Sequence, residues 1–151
     1  MMEEPPGSNA GPQVEAYLKS VGLRKGFSWC AAFVYWCFNE ASRNCGKQNP
    51  VIKTAGVLDH WTRAVQKGIP VIISAKAKND PSLVKPGFIF IMDHGKGTGH
   101  TGLVEKIQDG RLVTIEGNTN DGGSREGIGV FRRTGRKIFD INKGFIDYGS
   151  F

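Results

Sequence analysis

The chain has 151 residues, a formal net charge of +6, and hydrophobic and charged fractions of 39% and 23%. That length suits one domain that can bury a continuous core without disulfides or a metal as staples, and no apolar run is long enough to cross a bilayer. The positive charge favours polyanionic surroundings, whether nucleic acid or bacterial envelopes with their teichoic acids. The dense basic cluster Arg132, Arg133, Arg136 and Lys137 lacks interleaved aromatics, so it reads as a solvated strand face first and an envelope contact second, and nucleic acid is set aside.

Met1 to Ser8 combine acidic residues, paired prolines and Gly7-Ser8 with no apolar stretch behind them, which predicts a flexible lead-in and no secretory signal; export would use another route. The domain is expected over residues 9–151. Pro12 suits the first turn of a helix carrying Val14, Tyr17, Leu18 and Val21 up to Gly22. A second helix starts after Ser28 as N-cap and runs from Trp29 through Phe38, apolar around nearly its whole circumference, which places it in the core. Thr54 caps a third, with Val57, Leu58, Trp61 and Val65 on one face and Gly68 as stop. Beyond Pro70 the pattern turns to short β-rich runs: Val71 to Ile73, Phe88 to Met92, Gly102 to Ile107, Leu112 to Glu116, Gly129 to Arg132 and Phe145 to Tyr148. Helices first and strands second, without βαβ alternation, predict an α+β domain whose helices pack on one face of a largely antiparallel sheet.

Cys30, two residues past Ser28, falls in the first turn of the second helix, where unpaired N–H groups and the helix dipole favour thiolate and could hold an oxyanion. A small core residue is the commoner fate of a lone cysteine, and this helix alone favours that plainer reading. Cys37, a further two turns along the apolar run, is expected in the core and inert; Cys45 lies in a polar stretch, exposed or paired with Cys37. His100 follows the glycine-rich Gly95 to Gly99 and is placed where a loop enters a strand, with an accessible ring suited to a general base. His60 and His94 are expected at the surface, and Asp93, His94 and His100 match no zinc spacing. The hairpin at Gln108-Asp109-Gly110 returns the next strand beside His100. A three-residue loop with Gly110 left-handed sets His100 opposite Asn118 and Gly102 opposite Glu116, all on one sheet face. A two-residue turn splits them unless a one-residue bulge restores the register. Glu116 or Asn118 can then hold the imidazole in the tautomer that takes a proton from sulfur; otherwise they are an ordinary polar hairpin edge.

Trp29-Cys30-Ala31-Ala32-Phe33-Val34, Lys85-Pro86-Gly87, Gly99-His100-Thr101-Gly102-Leu103-Val104 and Glu116-Gly117-Asn118, in that order, resemble the CHAP family, the cysteine- and histidine-dependent amidohydrolases and peptidases of phage endolysins and bacterial autolysins. Asn9 to Val14 upstream and Gly129 to Arg133 downstream extend the resemblance over nearly the whole domain. It implies a papain-like fold with Cys30 as nucleophile, His100 as general base and acid, Glu116 as its orienter and Asn118 as a further polar member. Trp29, Asn9 and Gly99 are candidate substrate contacts. Two departures stand out: Phe88 replaces the acid that often follows the Pro-Gly pair, and residues 1 to 29 lack the acidic calcium loop of some phage members, so neither metal nor cofactor is expected. The implied substrate is peptidoglycan or a muropeptide, cut at an amide bond between glycan and first alanine or within the stem or cross-bridge peptide. An envelope-targeting toxin or effector with the same chemistry is the second reading, and a non-catalytic wall-binding module the third; the joint presence of Cys30, His100, Glu116 and Asn118 counts against that last. Without room for a separate wall-binding domain, targeting falls to the catalytic surface, its charge or a delivery partner.

Overall fold

A computed structural model of the chain describes residues 1–119 and 127–149. Three helices come first, α1 (Pro12–Ser20), α2 (Cys30–Asn44) and α3 (Val57–Gln66). The strands β1 (Val71–Ile73), β2 (Ile89–Gly95), β3 (Thr98–Gln108), β4 (Arg111–Thr119), β5 (Gly129–Arg136) and β6 (Gly144–Ile146) follow, with a short helix α4 (Ser74–Asn79) after β1. They form one sheet in the order β1-β6-β2-β3-β4-β5, antiparallel throughout. This is the α+β, papain-like arrangement expected, with every predicted strand present.

Alternation along the strands explains how the sheet is covered. Ile89, Ile91 and Ile146 point to the side of α2 and α3, where Val34, Val57 and Ala64 meet them. Phe90, Val104, Leu112 and Phe145 point the other way, against Ala77 of α4 and Ile138 and Ile141 ahead of β6. The second face is therefore closed by α4 and by irregular chain. Helix α1 docks on α2 through Tyr17, whose ring lies 5.6 Å from Trp29 and 5.3 Å from Phe33.

Several local expectations are corrected. Trp29, not Ser28, occupies the N-cap of α2, without a side-chain cap, so Cys30 is the first helical residue. On α3 the buried stripe is Val57, His60 and Ala64, while Val65 is 48% exposed. His60, expected at the surface, is buried because its Nε2 meets the Tyr148 hydroxyl at 2.8 Å and its ring stacks on Tyr148. Within residues 1 to 8, Met2 and Glu3 are tied to the rest of the domain. Met2 bridges to Gly129, the Glu3 amide donates to the Ile128 carbonyl at 2.7 Å, and the buried Glu3 carboxylate accepts the Trp29 indole N–H at 2.8 Å. A buried indole needs such an acceptor, and the N-terminal segment supplies it. Cys37 and Cys45 are both free; burial pushes the Cys37 thiol up to about 12, and Cys45 is exposed.

Candidate active site

Two irregularities of the sheet assemble the site. The turn between β3 and β4 is the two-residue Asp109-Gly110, with both residues at positive φ (54° and 73°), and not the three-residue loop expected. Ladder pairs from Gln108↔Arg111 to Lys106↔Val113 obey that turn, and an extra residue at Glu105 then shifts the register to Val104↔Thr114 and Leu103↔Ile115. The bulge thus restores the pairing that sets Gly102 against Glu116. A Cβ on Gly102 would stand 2.8 Å from Glu116 Cγ and 2.6 Å from the Phe90 ring, so only glycine leaves room for this carboxylate.

His100 Nε2 meets Glu116 Oε1 at 2.8 Å, with neither side chain more than 1% exposed. His100 lies inside β3, opposite Met92, and its ring is fully buried; the accessible ring at a loop end is corrected accordingly. Enclosure follows from the face it occupies, with Phe90 5.9 Å from its ring. Nδ1 makes no hydrogen bond of good geometry, and the Cys30 thiol is the group set beside the ring. Helix α2 therefore brings Cys30, and β3 and β4 bring His100 and Glu116, to one place.

Arg136 was missed as a site residue. It is buried and grips Glu116 with both arms of its fork, Nε to Oε2 at 2.7 Å and Nη2 to Oε1 at 2.6 Å. The Thr114 hydroxyl donates to Oε2 at 2.5 Å. Reading residues 132 to 137 as one solvated face failed because β5 carries an extra residue between Arg133 and Arg136, which turns Arg136 inward. Arg132 does stay outside, on Glu105 at 2.7 Å. The available signal was Glu116 itself, since a carboxylate interior to a sheet demands a cation.

Asn118 ends the run at φ 54°, buried, with Nδ2 lacking a hydrogen bond. Trp29 has no exposed surface and Gly99 is buried; Asn9 is half-buried at φ 52° and its carbonyl accepts the Gly26 amide. His94 is exposed, and among the described residues no group of three or more His, Cys, Asp or Glu side chains gathers as a metal site would.

Burial opposes charge on both members of the central pair, yet their partners win. Cys30 and Glu116 raise His100 to about 9, and His100 and Arg136 hold Glu116 down at about 2. An ionised carboxylate only accepts, so Nε2 is the donor to Glu116, and Nδ1 is the ring nitrogen that Glu116 does not engage. His60 goes the opposite way, to about 4, chiefly by burial. The pH dependence of stability follows. Between about 4 and 6.5 the unfolded chain binds more protons at His60, so stability falls as pH drops through that window. Above 6.5 the contribution of His100 fades as pH rises through about 9. Each is on the order of 3 kcal/mol. Urea unfolding of His60→Phe across pH 4 to 7 should show a flatter acid-side decline than the parent; an unchanged slope would mean that His60 titrates as freely folded as unfolded.

The family model of the CHAP domain matches residues 22–118, well over half of the chain, from just before α2 to the end of the Glu116-Gly117-Asn118 run. Comparisons with curated proteins and with solved structures give no match.

Proposed function

The chain belongs to the CHAP family of peptidoglycan amidase- and peptidase-type hydrolases, and from that premise we propose that it cuts an amide bond of bacterial peptidoglycan through a thioester on Cys30. The observation that carries the reading is the buried line of Cys30, His100 and Glu116, in which Glu116 takes Nε2–H and leaves Nδ1 for the sulfur.

In this mechanism the sulfur proton rests on His100 and Cys30 Sγ attacks the amide carbonyl as a thiolate. The first-turn N–H groups of α2, which have no intrahelical acceptors, are positioned to receive the developing oxyanion. As the C–N bond breaks, His100 returns the proton to the leaving amine and the acyl group stays on sulfur. Water then attacks the thioester and gives one proton to His100, the C–S bond breaks to release the carboxylic acid product, and sulfur leaves as the thiolate beside the protonated imidazole. Raised to about 9, His100 carries its proton at neutral pH, ready for the leaving amine, and the neutral imidazole left by that transfer takes the proton of the attacking water. Cys30 is only 1% exposed, so the surrounding side chains must yield before a wall peptide reaches the sulfur.

Digestion of purified sacculi followed by mass spectrometry of the muropeptides tests this reading. New amino termini within stem or cross-bridge peptides, or lactyl groups freed of their alanine, are the expected products. Iodoacetamide should abolish their release and EDTA should not, because the chemistry is assigned to a thiol and not to metal-bound water. Release that survives alkylation but stops with EDTA would sink the assignment.

A further inference from the structure

Glu116 is completely enclosed, and a carboxylate taken out of water without a cation takes up a proton instead of keeping its charge. A neutral acid there would no longer favour the protonated imidazole. The groups facing Glu116 are His100 from β3, Thr114 from its own strand, and Arg133 and Arg136 from β5; Cys30 of α2 and Phe90 of β2 face His100. Arg133 stands 3.9 Å from one oxygen, whereas Arg136 contacts both at 2.6 and 2.7 Å.

We propose that Arg136 is a positioning residue for catalysis: its guanidinium fork grips both oxygens of Glu116 and so fixes the charge and direction of the group that orients His100. Arg136 is itself locked, its Cζ 5.2 Å from the centre of the Phe90 ring and its Nη1 3.5 Å from Met92 Sδ. With the sulfur proton on His100, the buried set of Cys30, His100, Glu116 and Arg136 balances two negative charges against two positive. Without Arg136 one buried negative charge is left over, and protonation of Glu116 is the simplest relief. Lysine can supply the charge but not the planar two-point grip. The inference rests on the reading of Cys30 and His100 as the reacting pair.

NMR titration of the His100 ring tests it without any substrate, so its outcome is independent of whether peptidoglycan is the polymer cut. In a Cys30→Ala background, where Glu116 is the remaining hydrogen-bond partner of the ring among the described residues, Arg136→Gln should lower the His100 pKa by at least about one pH unit. Loss of a nearby positive charge alone would raise it, so a rise, or no change, overturns the proposal. Arg136→Lys in the Cys30 protein provides the second arm, and decides the matter if Arg136→Gln does not fold. Its ring should titrate as in the parent while kcat falls about tenfold or more with KM little changed. Parental kcat in Arg136→Lys would show that the two-point grip positions nothing.

Discussion

Cys30→Ala is expected to lower kcat on peptidoglycan by a factor on the order of 10⁶, to the residual level that binding alone sustains, while the protein stays folded. Alanine is the best helix former, and the position is the first of α2, followed by Ala31 and Ala32. What the fold loses is one sulfur atom from a well-packed site, about 1 to 2 kcal/mol. Cys37→Ala is the matched control. That thiol is pushed to about 12 by burial, so its removal should cost stability and leave the folded fraction active. Turbidity clearance of sacculi and urea unfolding on both variants give the result. Clearance that survives loss of Cys30 but not of Cys37 would move the nucleophile two turns down the helix.

The elements were legible because their signals are local. Pro12 and Gly22 bracket α1, Asp109-Gly110 marks the hairpin, and the six strands announce themselves by β-branched and aromatic runs between glycines. The arrangement of the site depends on two one-residue insertions that strand periodicity hides. The extra residue at Glu105 puts Glu116 on the face of His100, and the one between Arg133 and Arg136 puts Arg136 there as well. Paper alternation places Arg132, Thr134 and Arg136 together outside; the folded strand keeps Arg132 outside and buries Arg136. Where a bulge falls is settled by which pairing buries the apolar residues and satisfies the charges across three strands at once, and no window along one strand contains that information. His60 and Glu3 escaped for a related reason: each is polar, and each is interior only because Tyr148 and Trp29, both far away in the chain, provide its hydrogen bond.

Glu116→Gln is the second large effect, and it separates the carboxylate's charge from its shape. The amide fills the same space beside Gly102 but cannot balance Arg136, so a buried guanidinium is left unpaired at a cost of about 3 to 5 kcal/mol. The amide also no longer holds a positive imidazole, so His100 should lose much of its elevation above the ordinary histidine value, and its ring is free to turn the wrong nitrogen to Cys30. A kcat loss on the order of 10⁴ is expected, as for a catalytic histidine deprived of its carboxylate, with KM nearly unchanged. The two losses have different origins and can be separated. Raising stability with an osmolyte should recover the folded fraction without recovering kcat. Were kcat per folded molecule to match the parent, Glu116 would be a structural partner of Arg136, and His100 would act on Cys30 without an orienter.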